Sequence, residues 1–344
     1  MGPSAFVEEQ AGLLALSWSR TLTGPAMREA IDSLPGALRH ISGYHFGWWD
    51  KHGNAESGYA GKALRPALVL LAAESVGGSA ATALPAAIAV ELVHNFSLMH
   101  DDVMDGDVTR RHRPTVWSVF GVGSAILTGD ALLALAFEIL AASGHAQAGE
   151  GTRMLSAAVA DLLDGQGEDL VFEGRHDVTV AECLGMARKK TAALLQCSVG
   201  LGALFGDGTA AQVAHLRTFG AKLGLAFQIA DDFLGIWGDP QITGKPVYSD
   251  LRSHKKSLPV VAALNSGSSA GARLADAYRD PAPLSDHDLG AMAELIEAAG
   301  GRSWCAELAD ELIDQAIESL HLAETQARTI ELASLARLSA RRDR

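Results

Sequence analysis

The chain has few cysteines, few aromatic residues and no excess of positive charge. Only three of its 344 residues are cysteine, and they are widely spaced, which argues against a disulfide framework and against a CxxC-type zinc site. Lysine and arginine number 28 against 41 aspartate and glutamate residues, so the formal net charge is −13. An acidic chain of this kind is a poor candidate for nonspecific binding to nucleic acid or to an anionic membrane.

Long hydrophobic runs are also missing. The apolar runs at residues 67–73 and 132–142 are shorter than the ~20 residues that a bilayer span needs. The N-terminal region carries Glu8 and Glu9 and no basic segment followed by an apolar core, so the sequence predicts no signal peptide. We therefore expect a cytoplasmic protein without stable membrane insertion.

Strand-like alternation of polar and apolar residues is absent as well. Hydrophobic residues make up 48% of the chain but aromatic residues only 6%, a composition that favours helices packed through small side chains. Helical periodicity bounded by glycine and proline predicts helices at 62–76, 81–104, 115–142, 150–173, 179–204, 209–236, 256–266, 285–299 and 303–339. A short helix at 8–18, a connector at 42–62 and a loop at 265–284 complete the prediction, which is one all-α domain.

The first notable motif is an aspartate cluster at the end of an apolar helical run. Asp101, Asp102 and Asp105 follow the run 88–99, and spacings of three and four residues place Asp101 and Asp102 near Asp105 on one helix face. Three carboxylates this close repel one another unless cations lie between them. Oxygen ligands of this kind suit Mg²⁺, which completes its shell with water and substrate phosphate.

A second acidic pair repeats the pattern. Asp231 and Asp232 end the apolar run 223–229. A single acidic run is equally well explained as a solvated helix end. Two carboxylate clusters, each at the end of an apolar helix, indicate two helix ends that face one cavity and hold metal ions there.

Basic residues follow each acidic cluster. Arg110, Arg111 and Arg113 come directly after the first cluster, and Lys245, Arg252, Lys255 and Lys256 come after the second. Surface ion pairing explains either run alone. A polyanion that bridges metal ions and cationic side chains explains both, and arginine suits bidentate phosphate recognition. Lys62 and Arg65, at a predicted helix start, form a further candidate anion site.

These motifs and others in the same order resemble one known family. The matching segments are GKALRP (61–66), HNFSLMHDDVMD (94–105), RRHRPT (110–115), GD (129–130), GQGEDLVFE (165–173), KKTAALL (189–195), FQIADDFLG (227–235), GDPQITGKPVYSDL (238–251) and HKKSLP (254–259). The chain resembles the trans-isoprenyl diphosphate synthases (polyprenyl synthetases), most of all the short-chain geranylgeranyl and farnesyl diphosphate synthases. The resemblance is close over roughly 60–260 and looser elsewhere.

The resemblance implies a fold and a reaction. The fold is the isoprenoid synthase fold, a single-domain bundle of mostly antiparallel helices around a central active-site cavity, usually homodimeric. It would comprise an N-terminal helix and connector (1–60), a catalytic core (61–260) and C-terminal helices (261–344). The reaction is head-to-tail condensation of isopentenyl diphosphate with an allylic diphosphate, with three Mg²⁺ ions gripping the allylic diphosphate.

The resemblance also implies residue roles. Asp101, Asp102, Asp105 and Asp231 correspond to metal ligands, and Asp232 to an outer-shell partner. Arg110, Lys190, Lys245 and Lys255 correspond to allylic-diphosphate contacts. Lys62, Arg65, His94 and Arg111 correspond to isopentenyl-diphosphate contacts. Thr191 and Gln228 correspond to positions that steady the allylic cation, so Lys190, Thr191, Gln228 and Lys245 form the expected catalytic group.

Two positions depart from the family pattern. The second cluster usually reads DDxxD, whereas this chain has Gly235 one turn beyond Asp231. The third metal ion would then be held more weakly or through water. Ala63 stands where an arginine is common, although Lys62 and Arg65 remain.

Product length is expected to depend on the residues just before the first cluster. Phe96 and Ser97 precede Asp101 by five and four residues, about 6–7.5 Å of helix rise. Phe96 can be a core aromatic, the floor of a product tunnel, or both. An aromatic here accompanies C15 or C20 products in the family, and the HNFSL form is most like the C20 enzymes.

Two other functions are compatible with parts of this pattern. A class I terpene cyclase shares the fold and the first aspartate motif, but residues 231–239 (DDFLGIWGD) lack the Ser/Thr and Glu of its second motif. A non-catalytic partner subunit would tend to lose metal ligands, and the first cluster is intact. The sequence therefore favours a magnesium-dependent prenyltransferase making a linear product, C20 first and C15 next.

Overall fold

A computed structural model describes residues 3–56, 63–240, 247–280 and 284–340, with side chains from residue 9 onward. The predicted site residues Lys62 and Lys245 lie outside the described residues.

Helices dominate the described chain, so the predicted all-α class is confirmed. They are α1 (Pro3–Asp32), α2 (Gly36–His45), α3 (Leu64–Ser75), α4 (Ala80–Met104), α5 (Val116–Phe120), α6 (Val122–Ala141), α7 (Ala148–Glu173), α8 (Val180–Ala187), a π-helical segment (Arg188–Ala192), α9 (Ala193–Phe205), α10 (Ala210–Trp237), α11 (Ser249–Arg252), α12 (Leu258–Leu264), α13 (Ser269–Arg279), α14 (Asp286–Ala298), α15 (Gly301–Leu322) and α16 (Thr329–Ala340). Two short antiparallel strands, β1 (Thr109–Arg110) and β2 (Arg113–Pro114), form a hairpin between α4 and α5.

Several predicted boundaries were wrong. The predicted loop at 265–284 contains α13, which begins where Ser268 Oγ accepts a hydrogen bond from Gly271 N at 3.0 Å. The N-terminal helix runs to Asp32 rather than ending at residue 18. The predicted helix at 115–142 breaks at Gly121, whose φ of 86° a helix cannot accommodate.

The described chain divides into two compact units. The first comprises the described residues within 1–157, 197–217 and 320–335, and the second comprises those within 158–196, 218–319 and 336–344. The single-domain organisation expected from the sequence stays a prediction.

The first unit is built on α3 and α4, both buried along almost their whole length. Leu68, Leu70 and Leu71 on α3 have no exposed surface. Small residues let helices approach closely here: a Cβ at Gly202 of α9 would lie 2.1 Å from the carbonyl oxygen of Val69. The Ala- and Gly-rich composition therefore allows tight helix packing.

The second unit has its own apolar core. Ile236, Leu251, Val260, Leu274 and Leu289 are fully buried there and come from five different helices. Helix α8 begins with a capping box, in which Thr179 Oγ1 accepts from Glu182 N at 3.2 Å and Glu182 accepts from Thr179 N at 2.9 Å.

Among the described helices, α4 and α6 are long and apolar enough to span a membrane by length and composition alone. The most apolar part of α4 is 67% buried within the protein, as expected for a core helix, whereas that of α6 is only 39% buried.

Candidate active site

The first aspartate cluster lies at the C-terminal end of α4. Ser79 caps the start of α4, where its hydroxyl accepts from Thr82 N, and Asp105 caps its end, where Asp105 N donates to the carbonyl oxygen of Asp101 at 2.8 Å. Asp102 is buried, whereas Asp101 is half-buried and Asp105 is exposed. The three carboxylates therefore differ in their access to solvent.

Asp102 is paired with an arginine of the hairpin. Arg110 Nε donates to Asp102 Oδ1 at 2.7 Å. Burial raises the pKa of Asp102 to about 6, although the charge and hydrogen bond of Arg110 act to lower it. The first cluster thus contains an ion pair before any ligand binds.

The hairpin positions Arg110 and Arg111 through an unusual turn. Arg111 and His112 both have left-handed backbones, with φ of 52° and 62°, as a two-residue type I′ turn requires. Neither residue is glycine or asparagine, so the turn stores strain of roughly 1–2 kcal/mol per residue. Strained backbones of this kind are concentrated at functional sites.

Arg113 ties the hairpin to the segment after α2. Its guanidinium donates to the carbonyl oxygens of Tyr44 and Trp49 at 3.0 and 3.1 Å and to Glu56 Oε2 at 2.7 Å. Tyr44 Oη in turn donates to the carbonyl oxygen of Pro114 at 2.8 Å. These bonds hold Arg110 and Arg111 against a part of the chain that the sequence predicted only as a connector.

A pocket opens between the hairpin and this segment. Its empty volume, open solvent included, is about 400 Å³. It is lined by Tyr44, His45, Gly47, Asp102, Arg110, Arg111, Arg113, Pro114, Thr115 and Val116. Asp102 pairs with Arg110, and Glu56 pairs with Arg113. The three arginines still outnumber these two carboxylates, which makes the pocket suitable for an anion.

A partly buried polar network lies beside the hairpin arginines. His45 Nε2 lies 3.0 Å from Asn95 Oδ1, and Asn95 Nδ2 donates to Glu91 Oε1 at 3.2 Å. Burial, and then the charge of Arg111, lowers the pKa of His45 to about 3. Burial and the charges of Arg65 and Arg111 also hold the pKa of His94 well below its usual value. Both histidines are therefore neutral at pH 7.

Phe96 and Ser97 lie in the interior of α4. Phe96 is 3% exposed and meets the His100 ring edge-on, with ring centroids 4.8 Å apart. Ser97 Oγ donates to the carbonyl oxygen of His94 at 2.9 Å. Phe96 does not line the 400 Å³ pocket. Its role in setting product length stays a prediction.

In the second unit, a chain of hydrogen bonds joins the predicted cation-steadying residues to Asp232. Thr191 Oγ1 donates to Gln228 Oε1, and Gln228 Nε2 donates to Asp232 Oδ1 at 2.6 Å. Leu258 N donates to the other oxygen of Asp232 at 2.8 Å. Asp232 is thus buried inside a protein network, whereas Asp231 is half-buried. Burial, and then the charge of Asp250, raises the pKa of Asp232 to about 7.

Lys190 and Thr191 lie in the π-helical segment, which two glycines bring close to its neighbours. A Cβ at Gly165 of α7 would lie 2.3 Å from Lys190 N, and a Cβ at Gly224 of α10 would lie 2.5 Å from Ala192 Cα. Side chains at these positions would therefore displace the segment. Single π-helical turns are rare and occur frequently at functional sites.

Two lysines from distant parts of the sequence meet at one buried carboxylate. Lys190 Nζ donates to Asp169 Oδ2 at 2.5 Å, and Lys255 Nζ lies 3.8 Å from the same oxygen. Burial acts to raise the pKa of Asp169, but the charges of Lys255 and Lys190 outweigh it and lower that pKa. Asp169 is therefore ionised at pH 7 and holds both ammonium groups.

Asp169 lies in a segment that matches the family, but the sequence alone predicts no role for it. The same holds for Gln166, three residues earlier on α7. Gln166 is 4% exposed, and within the described residues neither its amide nitrogen nor its amide oxygen has a hydrogen-bond partner. A buried polar group left unpaired costs about 1–3 kcal/mol. The GQGED segment could have predicted that Gln166 and Asp169 lie together, because polar residues spaced three apart in an amphipathic helix share one face.

Gly235 has a structural counterpart in Asp250. A Cβ at position 235 would lie 2.3 Å from Asp250 Oδ2 and 2.5 Å from Asp250 Oδ1. The carboxylate of Asp250 therefore occupies the space beside Gly235 that a side chain there would need.

The chemistry of the donors bears on metal binding. Among the residues that the structure describes, no three His, Cys, Asp or Glu side chains form a preformed metal site. Mg²⁺ does not require one, since it is usually held by one or two carboxylates plus water and substrate phosphates. In the first unit Asp101 and Asp105, and in the second unit Asp231, are not fully buried, so each has the oxygen chemistry that such sparse coordination needs.

The fold and these carboxylate-ended helices define the class of all-helical isoprenoid synthases. The family model described as polyprenyl synthetase matches residues 51–296. The chain belongs to the polyprenyl synthetase family and is a trans-prenyltransferase.

Named relatives and solved structures agree with this assignment. A geranylgeranyl diphosphate synthase of Mycobacterium tuberculosis is 47% identical over 338 residues, 98% of this chain and 96% of the relative. A (2E,6E)-farnesyl diphosphate synthase of the same organism is 47% identical over 309 residues, 89% of this chain and 86% of the relative. The crystal structure of a polyprenyl synthetase from Streptomyces coelicolor A3(2) matches with a TM-score of 0.91 and 47% identity, covering 95% of this chain and 99% of that one.

Replacing the carboxylate that holds the two lysines should destabilise the protein. We expect Asp169→Asn to lower the free energy of unfolding by about 2 kcal/mol, less than the roughly 3–5 kcal/mol of a fully buried pair because Lys255 is 33% exposed. Urea denaturation at pH 7 measures this. The matched control is Asp164→Asn, since Asp164 lies on the same helix and meets Lys189 at 2.7 Å but is 64% exposed. The control should keep the wild-type midpoint, and equal effects of both variants would contradict the interpretation.

Proposed function

We propose that the protein condenses isopentenyl diphosphate with an allylic diphosphate, head to tail, to make a linear short-chain trans-prenyl diphosphate. The expected main product is geranylgeranyl diphosphate (C20), followed by farnesyl diphosphate (C15). The observation that carries the proposal is the Lys190–Asp169–Lys255 cluster beside the hydrogen-bonded pair of Thr191 and Gln228. Lys190 and Lys255 can donate hydrogen bonds to a diphosphate. The neutral oxygens of Thr191, the residue after Lys190, and of its partner Gln228 suit an allylic cation.

The proposed metal is Mg²⁺, three ions when diphosphate is bound. Asp101, Asp105 and Asp231 would hold it directly, with Asp102 next, while the buried and hydrogen-bonded Asp232 would act through the outer shell. Bound metal supplies charge neutralisation for the leaving diphosphate.

The first step is cleavage of the allylic C–O bond, with the electron pair leaving on the diphosphate. Arg110, Lys190, Lys245 and Lys255 would stabilise that developing charge, as preorganised donors do. Asp169 keeps Lys190 in place. The oxygens of Thr191 and Gln228 bring partial negative charge to the proposed position of the allylic cation.

The second step is attack by the double bond of isopentenyl diphosphate on that cation, followed by loss of a proton to the departing pyrophosphate. Lys62, Arg65, His94 and Arg111 would bind isopentenyl diphosphate. The lowered pKa of His94 supports a neutral imidazole that donates a hydrogen bond without adding charge. No nucleophilic side chain is needed, and apolar helices exclude the water that would capture the cation.

We further propose a cytoplasmic homodimer. Helix α6 exposes Ile126, Leu127 and Ala134, with Leu127 63% exposed. Asp130 and Glu138 are also exposed on α6, so the apolar patch is confined to its N-terminal half around Ile126 and Leu127. Such a patch is expected to be covered, and a second copy of the chain is the partner that the family resemblance implies.

The reaction is tested by product analysis. Purified protein with Mg²⁺ is incubated with dimethylallyl, geranyl, farnesyl or geranylgeranyl diphosphate, with and without isopentenyl diphosphate. We expect elongated linear diphosphates only when isopentenyl diphosphate is present. Hydrocarbon formed without it would favour the terpene cyclase alternative, and no conversion under any condition would favour a non-catalytic partner subunit.

Product length is tested at Phe96. We expect Phe96→Ala to lengthen the main product, because removing the aromatic ring deepens the space available to the growing chain. The control is Phe205→Ala, which removes a fully buried ring on α9 and should destabilise the protein without lengthening the product. Chromatography of dephosphorylated products gives the lengths, and an unchanged distribution in Phe96→Ala would refute the floor role.

The proposed dimer is tested by sedimentation. Leu127→Asp should shift the protein from dimer to monomer, because it places a charge in the apolar face of α6. Leu14→Asp is the control, since Leu14 is 69% exposed on α1. Dissociation by both variants, or by neither, would contradict the assignment of the interface to α6.

A further inference from the structure

Gln166 is a buried amide that the folded chain does not satisfy. Its side chain lies on α7 and is 4% exposed, and among the residues that the structure describes both amide atoms are without a hydrogen-bond partner. An amide offers two donor hydrogens and an acceptor oxygen. Buried polar groups in native proteins nearly always have partners, so an exception requires an explanation.

The surroundings of Gln166 supply one. The preceding residue, Gly165, lies against the backbone of Lys190. Asp169, three residues further along α7, accepts from Lys190 Nζ and lies 3.8 Å from Lys255 Nζ. Positions three apart are neighbours on a helix surface. Gln166 therefore shares a face of α7 with Asp169, the carboxylate that joins Lys190 and Lys255.

We propose that Gln166 is a ligand-contacting residue whose amide hydrogen-bonds the metal-bound diphosphate held beside Lys190 and Lys255. The inference rests on the proposed function, which brings an allylic diphosphate to these lysines. It adds a residue to the subsite that the family resemblance did not assign.

The chemistry of the amide favours this class of ligand over a bare anion. Phosphate oxygens only accept hydrogen bonds, so they satisfy the amide N–H groups but leave the amide oxygen unpaired. Water molecules bound to Mg²⁺ are donors, and Mg²⁺ keeps several of them when it binds phosphate. A hydrated metal–diphosphate assembly therefore satisfies both ends of Gln166.

The experiment compares stability and ligand affinity in the same variants. Gln166→Met keeps the length of the side chain and removes both polar atoms. We expect its Tm without ligand to equal or exceed that of the wild type, because no hydrogen bond is lost. We expect its Kd for inorganic pyrophosphate with Mg²⁺, measured by calorimetry, to rise about tenfold, the effect of one lost hydrogen bond to a charged ligand.

The matched control is Ser19→Ala. Ser19 on α1 is fully buried, and its hydroxyl has no hydrogen-bond partner within the described residues, so this variant also removes an unpaired polar group. We expect it to leave the Kd for Mg²⁺–pyrophosphate unchanged. A second variant, Gln166→Glu, keeps the acceptor oxygens but replaces the N–H donors with negative charge, and should weaken binding more than Gln166→Met does.

The outcomes separate this inference from the proposed reaction. Wild-type affinity in both Gln166 variants, a fall in the Tm of unliganded Gln166→Met, or no binding of Mg²⁺–pyrophosphate to the wild type would each overturn the role of Gln166. If the wild type binds Mg²⁺–pyrophosphate and the variants bind it weakly, the contact is supported. A failure of the elongation assay would then count against the proposed function alone.

Discussion

Lys190 Nζ lies 2.5 Å from Asp169 Oδ2, and Lys255 Nζ lies 3.8 Å from the same oxygen. An unpaired charge in a poorly hydrated site raises the free energy of the folded protein, so each of the three charged groups needs the others to be stable there. This dependence explains why α7, the π-helical segment and the segment before α12 converge in the second unit. Counted by themselves, the two lysines and Asp169 carry one net positive charge, in a chain whose net charge is −13. Lysine ammonium groups held in this way attract a diphosphate even though the protein as a whole is acidic.

The need to pair charges in poorly hydrated sites also determines the arrangement of the first unit. Asp102 is buried against Arg110, and Glu91, Asn95 and His45 form a partly buried polar chain near the hairpin arginines. The neutral His45 and His94 add hydrogen-bonding capacity there without adding charge. Charge is thus concentrated on a few arginines, whose positions are set by the strained turn at Arg111 and His112. A diphosphate site needs donors that are already in position, because ordering flexible cations during binding reduces affinity.

Glycines set how closely these elements approach. Gly165 and Gly224 lie where any side chain would push the π-helical segment away from α7 and α10. Gly235 has a different explanation, since the carboxylate of Asp250 lies in the space beside it. The sequence indicated only that the second aspartate cluster lacks the carboxylate that the family usually has at the position of Gly235. The structure shows that a carboxylate from another part of the chain lies there.

The sequence by itself determined the helical class, the aspartate clusters at two helix ends, and the family. These depend on local periodicity and on residue order, which a linear pattern records directly. The sequence did not predict helix α13, the type I′ hairpin or the full extent of α1, because capping and packing decide where short or irregular elements form. Only the tertiary structure decided that Asp169 joins Lys190 to Lys255, that Asp232 is bound to Gln228, and that Gln166 is buried without a partner among the described residues. The contacts of Asp169 depend on side chains 20 to 90 positions apart that meet in a low-dielectric interior. The bond between Gln228 and Asp232 joins neighbours one helical turn apart, and its importance depends on their burial.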